Sequence, residues 1–149
     1  MDCMDGVRSQ PPGILRLAHE LLEKMEADAA SRAPLEACGL VAGRDGQALE
    51  VFPITNALHS PVRFRMDPQE QWQAFKEIDE RSWELLAIYH SHPSGPAGLS
   101  AMDIAESYYP DVIHIVWFKE ARRWRCRGYT IQAGKAMEVE IERASTQDN

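Results

Sequence analysis

Apolar residues recur along the chain at three- and four-residue intervals that predict two amphipathic helices. The first follows Pro12-Gly13 and is expected to end near Pro34, because a proline disfavours helix in the residue before it. The second begins at Asp67, which would act as its N-cap, with Pro68 in the first turn. The apolar positions are Ile14, Leu17, Ala18, Leu21, Leu22 and Met25 in the first helix and Trp72, Phe75 and Ile78, beside Asp79 and Arg81, in the second.

Short runs that are continuously apolar, or that alternate apolar with polar residues, predict β-strands. An Asp45-Gly46 turn joins the first two of them as a hairpin. In the third, Val62, Phe64 and Met66 would point inward. The predicted strands are the apolar half of 35–43, then 48–54, 62–66, 85–89 with two histidines on its last pleats, 111–118, 123–129 and 136–141.

Composition fits an ordinary globular protein of 149 residues and a single domain. The formal net charge of -7 argues against nucleic acid or an anionic membrane as the main partner. Residues 1–10 are expected to be a flexible leader without a signal pattern and 143–149 a flexible tail, which leaves 11–142 as the domain. Three scattered cysteines without paired spacing indicate reduced thiols in a cytoplasmic protein.

The candidate chemistry is concentrated between His90 and Asp103. His90 and His92 end an apolar strand and are two residues apart, so both imidazoles point to one face. A loop rich in Gly and Pro follows, and Ser100 is expected to open a short helix that continues to Tyr109, with Asp103 one turn into it. Two histidines and one carboxylate make a catalytic zinc set that leaves the fourth position open for water.

Each of these residues also has a simpler interpretation. A His pair at strand spacing can be a hydrogen-bonded part of a core, or belong to a cupin-type metal-binding module with His114 as its only further candidate ligand. Ser100 and Asp103 fit a helix N-cap followed by a first-turn acid. The His pair combined with the loop and the Ser and Asp offsets favours the metal site.

Glu36 lies at the start of an apolar segment, where a buried carboxylate costs free energy unless it has a partner. From position alone it is an exposed residue at a strand end. The metal set elsewhere makes it a candidate general base, because a metallohydrolase needs a group that takes a proton from water.

Arg123, Arg125 and Arg127 share one face of an alternating strand. The favoured interpretation is a row of solvated charges that discourage edge-to-edge pairing. The alternative is a landing surface for an acidic protein partner.

Taken together, these residues resemble the signature of the JAMM (MPN+) family of zinc-dependent proteases, and the chain looks like its small stand-alone bacterial members. That signature is a Glu on an early strand, then His-x-His-Pro, then Ser and Asp separated by two residues. The likeness runs from about Leu35 to Ile141. The matching residues are Glu36, His90-Ser91-His92-Pro93, Ser100 and Asp103.

The resemblance implies an α/β fold of the α+β kind: a single MPN/JAB domain in which helices flank a curved, mixed β-sheet, similar in architecture to cytidine deaminases. It implies that His90, His92 and Asp103 bind Zn²⁺. Glu36 would deprotonate the water and later protonate the leaving amine, and Ser100 would donate a hydrogen bond to the tetrahedral oxyanion.

The resemblance also implies a substrate, since such relatives cleave peptide or isopeptide bonds after the C-terminal Gly-Gly of ubiquitin-like proteins. In bacteria these are small sulfur-carrier proteins, and some relatives release cysteine from a carrier–cysteine adduct. The tail is expected to add as a strand beside an exposed edge, for which 62–66 and the loop before Ser100 are the candidates. A general deconjugating isopeptidase and a non-catalytic MPN-type scaffold are the alternatives, and a homodimer is left open.

Overall fold

The computed structural model describes residues 14–105 and 111–144. Two longer helices, one short helix and seven strands alternate along this part of the chain. In chain order they are β1 (Ile14–Ala18), α1 (His19–Arg32), β2 (Cys38–Arg44), β3 (Gln47–Ile54), α2 (Pro68–Glu80), β4 (Glu84–His92), α3 (Ala101–Ala105), β5 (Ile113–Glu120), β6 (Arg123–Gln132) and β7 (Lys135–Ala144).

The seven strands form one mixed sheet that curves until it closes. Their spatial order is β1-β3-β2-β4-β5-β6-β7, and β1 also pairs with β7. β4 and β5 are parallel, as are both pairings of β1, whereas the other neighbours are antiparallel. The expected curved, mixed sheet flanked by helices is therefore present, and β4 lies in it between β2 and β5.

The two longer helices cover different faces of the sheet, and each face has its own apolar core. α1 contributes Leu22, Met25 and Ala29 to one core, together with residues from β1 to β5. α2 contributes Ala74 and Ile78 to the other, beside Ile88 of β4. Because side chains alternate along a strand, β4 serves both cores.

α1 is held to the sheet by a buried polar contact. The Tyr89 hydroxyl donates to Asp28 Oδ2 at 2.8 Å, and Arg32 Nε donates to Asp28 Oδ1 at 3.2 Å. The Tyr89 ring lies over Gly39, where a Cβ atom would stand 2.3 Å from a ring carbon. Only glycine therefore lets the ring lie this close to β2.

The prediction of helix at Ile14–Ala18 is wrong, because these residues form β1. Leu15 and Leu17 are buried and alternate with exposed neighbours, which is strand periodicity over a stretch too short to separate from helix periodicity. β7 pairs with all five residues of β1, so tertiary pairing decides the outcome.

The predicted strand at 62–66 is also wrong. Val62 is 71% exposed, and the only pairing of this segment among the described residues is an isolated bridge between Asn56 and Met66. A further correction concerns α2, in which Trp72 is 61% exposed while Ala74 and Ile78 are buried.

Several boundaries match the sequence. The Asp67 side chain accepts from the Glu70 N–H at 3.0 Å, and Pro68 begins α2. Asp45 and Gly46 form the hairpin turn with φ of 53° and 78°.

One boundary differs from the sequence prediction. β7 continues to Ala144, so the domain boundary predicted at residue 142 falls inside a strand.

Three predictions lie outside the described residues: the flexible leader at 1–10, the part of the flexible tail beyond 144, and the continuation of the short helix through 106–110. Within the ranges that the structure describes, no helix has both the length and the apolar character needed to cross a membrane.

Candidate metal centre

His90 and His92 lie at the C-terminal end of β4 and point to one face of the sheet. The strand is paired on both sides here, since the Cα of His90 lies opposite Cys38 of β2 and Val116 of β5. Both imidazoles are buried, with 2% and 3% exposure. Their Nε2 atoms are 3.1 Å apart, so the two rings converge on one point, as the strand spacing predicts.

Asp103 joins this point from α3. Its Oδ2 lies 3.1 Å from His90 Nε2 and 3.0 Å from His92 Nε2. The same residue belongs to a reciprocal helix cap, because Ser100 N donates to Asp103 Oδ2 at 2.9 Å and Asp103 N donates to Ser100 Oγ at 3.0 Å. The capping interpretation and the ligand interpretation are therefore both satisfied by one geometry.

The donor set fits a metal ion of the zinc type. Three ligand atoms lie 3.0–3.1 Å apart. His nitrogens bind zinc at about 2.0–2.1 Å, which places tetrahedral ligand atoms roughly 3.3 Å apart. A carbonyl oxygen only accepts, so His92 Nδ1 donates to Pro96 O at 2.9 Å, and this bond leaves Nε2 as the ring nitrogen that would present a lone pair to a metal once the ring is neutral.

Glu36 reaches the same place from the segment between α1 and β2. It is buried, with 3% exposure, and it forms with His90 and His92 a group whose potential ligand atoms all lie within 4.8 Å of one another. Burial raises the pKa of its carboxyl to about 8, the charge of His92 opposes this rise, and the charge of Asp103 adds to it. The exposed strand-end interpretation of Glu36 is therefore wrong.

Two of the other ionisable groups of the cluster, His90 and Asp103, are shifted toward the form that binds a metal, whereas His92 is shifted toward its protonated form. Burial lowers the pKa of His90, which favours its neutral ring. Burial also disfavours the charge of Asp103, but hydrogen bonds with His90 and His92 outweigh it and hold the pKa of this carboxyl below its usual range. For His92, burial is likewise outweighed by hydrogen bonds to Asp103 and Pro96, so its pKa is raised.

An aromatic ring packs on the cluster from the loop at 55–66. Phe64 stacks on the His90 ring with centroids 4.7 Å apart and planes 24° apart. His90 Nδ1 is buried and has no hydrogen-bond partner within 14–105 or 111–144. Stacking on Phe64 and the contacts of Nε2 with His92 and Asp103, rather than a hydrogen bond at Nδ1, thus restrain this ring.

The remaining candidates from the sequence lie apart from the cluster. His114 is buried in β5 with its Cα opposite Ile88, and the metal-binding group found among the described residues does not include it. Arg123, Arg125 and Arg127 are exposed on β6, as predicted. Arg125 pairs with Glu120 at 2.9 Å, and Arg127 lies 5.4 Å over the Phe118 ring.

Two buried residues that contact the backbone at Glu36 have no role assigned to them from the sequence. Ser91 Oγ accepts from the Ala37 N–H at 2.7 Å, and Asn56 Nδ2 donates to the Glu36 carbonyl at 3.2 Å. The contacts join residues 54 and 20 positions apart, so no local pattern marks them. The one available signal was that Ser91 separates the two histidines.

A family model described as prokaryotic homologs of the JAB domain matches residues 18–127. The CysO-cysteine peptidase of Mycobacterium tuberculosis is 34% identical over 131 residues, which cover 86% of this chain and 90% of that protein. A probable TtuB-protein conjugate cleaving protease of Thermus thermophilus is 40% identical over 108 residues, which cover 68% of this chain and 72% of that protein.

The fold is also similar to that of a solved structure. The solution structure of a protein from Desulfitobacterium hafniense superposes with a TM-score of 0.81 and 33% sequence identity. The match covers 90% of this chain and 95% of that one. The similarity thus extends over both cores and the strand that bears the two histidines.

Proposed function

The chain belongs to the family of prokaryotic homologs of the JAB domain, and from this premise we propose that it is a zinc-dependent peptidase. Its substrate is the peptide or isopeptide bond after the C-terminal Gly-Gly of a ubiquitin-like sulfur-carrier protein, including a carrier–cysteine adduct from which cysteine is released. The observation that carries this proposal is the convergence of His90, His92 and Asp103 beside a buried Glu36.

His90, His92 and Asp103 would hold the zinc ion. When bound, zinc polarises a carbonyl and lowers the pKa of water from near 16 to about 7. The neutral His90, the depressed pKa of Asp103 and the Nε2 lone pair of His92 support this assignment. His90 and Asp103 would enter the site already in the protonation state that a ligand requires, whereas His92, whose pKa is raised, would lose a proton when the metal binds.

Glu36 would act as general base and then as general acid. Its carboxyl is within reach of the same cluster, and its pKa of about 8 in the metal-free protein would be lowered toward neutral pH by a bound cation. A group whose pKa lies near the working pH both accepts and returns a proton readily. It would take a proton from the attacking water and deliver it to the leaving amine.

Ser100 would stabilise the developing negative charge on the substrate oxygen. Its oxygen already accepts from the Asp103 N–H, which leaves the hydroxyl hydrogen free to donate. One such donor is typically worth about 3 kcal/mol of barrier. The helix cap would therefore hold the hydroxyl in place without using up its proton.

The substrate class is supported by the names of the relatives. One is a CysO-cysteine peptidase, which favours release of cysteine from a carrier. The net charge of -7 supports a protein tail as substrate over nucleic acid or membrane. The proposal places the reaction in the cytoplasm, and both described cysteines, Cys38 and Cys126, are free.

A second candidate is a general deconjugating isopeptidase for ubiquitin-like modifiers. The relative named as a TtuB-protein conjugate cleaving protease favours it. The two candidate functions share the site and the cleaved bond after Gly-Gly. They differ in the leaving group, which is free cysteine in the first and an acceptor protein, released at a lysine amine, in the second.

Mass spectrometry of the purified protein incubated with the host's sulfur carriers tests both. Native, cysteine-adducted and protein-conjugated carriers are compared with and without added zinc. We expect cysteine to be lost from the adducted carrier, whereas release of an intact acceptor protein alone would favour the isopeptidase. Unchanged masses for every carrier would refute the proposed function.

A further inference from the structure

The peptide bond between Glu36 and Ala37 is held by two side chains rather than by neighbouring backbone. It precedes β2, so it lies just outside the regular ladder. The Glu36 carbonyl accepts from Asn56 Nδ2 at 3.2 Å, and the Ala37 N–H donates to Ser91 Oγ at 2.7 Å. Both polar groups of one peptide unit are thus fixed from opposite sides.

The backbone on either side of this peptide unit is anchored as well. Glu36 N donates to Ser60 O at 2.9 Å, and Ser91 N donates to Ala37 O at 3.0 Å. Ser91 therefore contacts Ala37 twice, once through its side chain and once through its backbone. Because Ser91 lies between His90 and His92, the strand that carries the candidate ligands also sets the backbone position of the candidate base.

Asn56 extends the same arrangement to the loop over the site. It is 5% exposed, and its Nδ2 also donates to Arg63 O at 2.9 Å. Its Oδ1 accepts from the Leu58 N–H at 3.0 Å and from the Arg65 N–H at 3.1 Å. The residue between these two arginines is Phe64, which stacks on His90.

We propose that Ser91 and Asn56 are positioning residues that clamp the Glu36–Ala37 peptide and so aim the Glu36 carboxylate at the centre formed by His90, His92 and Asp103. The proposal rests on the role of Glu36 in the proposed function. Proton transfer requires hydrogen-bond reach, and misplacement by about 1 Å can cost on the order of 100-fold in rate. The clamp would therefore act on the chemical step rather than on metal or substrate binding.

The test compares variants of the full, zinc-loaded chain. Ser91→Ala removes the acceptor of the Ala37 N–H, and Ser91→Thr restores a hydroxyl at the same place. Asn56→Asp removes the donor to Glu36 O, together with the bonds from the same nitrogen to Ser60 O and Arg63 O, and keeps an acceptor for the Leu58 and Arg65 N–H groups. Ser60→Ala is the matched control, because Ser60 Oγ caps the Val62 and Arg63 N–H groups in the same loop without contacting the Glu36–Ala37 peptide through its side chain.

We expect Ser91→Ala and Asn56→Asp to lower kcat by 10-fold or more, with KM within twofold and zinc per chain unchanged. Ser91→Thr should recover most of kcat, and Ser60→Ala should leave it within threefold. Equal losses in Ser91→Ala and Ser60→Ala, a loss confined to KM, or full activity in both clamp variants would overturn the proposal. If Ser91→Ala does not fold, the Asn56→Asp variant tests the clamp at the Glu36 carbonyl instead of the Ala37 N–H.

Amide exchange at Ala37 separates this inference from the proposed function. Ser91→Ala should speed exchange of the Ala37 amide by at least tenfold, whereas Ser60→Ala should not. If the wild-type protein cleaves no carrier but this exchange behaves as expected, the proposed function fails and the clamp stands. If cleavage occurs and the exchange is unchanged, the clamp is refuted and the proposed function stands.

Discussion

Asp103 illustrates how individual residues at this site serve two purposes at once. Its Oδ2 faces both histidines and also accepts the Ser100 N–H, while its own N–H is capped by Ser100 Oγ. The helix cap orders the short α3, and this order fixes the third candidate ligand. A pattern that could be assigned to capping alone therefore does not argue against a metal site.

Removal of the Glu36 carboxylate should separate metal binding from hydrolysis. In Glu36→Gln the side chain keeps its size but loses the base, so we expect kcat to fall by about 10²–10⁴. Zinc per chain should stay at the wild-type value, because Glu36 is not among the proposed ligands. Turnover assays with the carrier substrate and metal analysis by atomic emission make this comparison, and a fully active variant would refute the assignment.

Glu36 should also make the stability of the metal-free protein depend on pH. Its pKa is raised from 4.5 to about 8, so between these values the folded state keeps a proton that the unfolded chain has lost. The free energy of unfolding should therefore fall as pH rises through this window, by an amount on the order of a few kcal/mol. Urea unfolding at pH 5 and pH 8 measures the slope.

Glu36→Gln is the control for this slope. The histidines and Asp103 also contribute to the pH dependence of the free energy of unfolding. These contributions cancel to first order when the wild type and the variant are compared at the same pH. The variant should lose less stability than the wild type between pH 5 and pH 8. Parallel losses in both proteins would show that Glu36 does not carry the effect.

At the scale of elements, β4 links the candidate site to the structural core. Its alternate residues point to the two faces, so Tyr89 holds α1 on one side while His90 and His92 converge on the other. The strand is paired on both sides by β2 and β5. This pairing keeps the backbone of the two histidines in register, and the loop residues Phe64 and Pro96 add contacts to their rings.

Tyr89→Phe should destabilise the fold and spare the site. It removes the hydrogen bond to the buried Asp28 and leaves that carboxylate with Arg32. An unsatisfied buried group costs about 1–3 kcal/mol, which chemical denaturation would detect. Zinc per chain should not change, since Tyr89 points away from the histidines, and an unaltered unfolding midpoint would contradict the anchoring role.

The sequence predicted those elements whose signals are local. The apolar run before His90, the Asp67 cap and the Asp45-Gly46 turn each depend on neighbouring residues, and all are confirmed. β1 was assigned to a helix because its five residues satisfy both periodicities, and only the distant β7 selects the strand.

Long-range contacts explain the rest of the differences. Segment 62–66 alternates like a strand, but Asn56 binds its Arg63 carbonyl and Arg65 N–H, so these groups do not join a ladder. The candidate ligands follow from the spacing of His90, His92 and Asp103, whereas Glu36 becomes a candidate base only through that metal set and the family resemblance. The residues that hold the base could not be predicted, because their partners are distant in sequence.

At the scale of the whole molecule, a metal would join parts of the chain that in its absence meet through packing and hydrogen bonds. The candidate ligands come from β4 and α3, and the candidate base comes from the segment after α1. A ligand that binds only the folded state stabilises it by mass action. Metal binding should therefore be visible in the unfolding of the entire domain.

Zinc should raise the melting temperature of the wild-type protein. At a free concentration one hundred times Kd the gain is about 2.7 kcal/mol, which for a chain of this size corresponds to several degrees. Differential scanning calorimetry before and after chelation measures the shift. Asp103→Ala should show little of it, and an equal shift in this variant would exclude Asp103 as a ligand.

The closing contact of the sheet has a consequence for how the protein is made. β1 pairs with β7 over its full length, and Arg16 forms an ion pair with Glu142, 126 residues later. During synthesis β1 leaves the ribosome long before β7 has been made. Until then β1 lacks its main pairing strand, although its apolar residues Leu15 and Leu17 are buried in the folded protein. Such pairing across a large sequence separation slows folding. The nascent chain would then remain a client for chaperones until β7 has emerged.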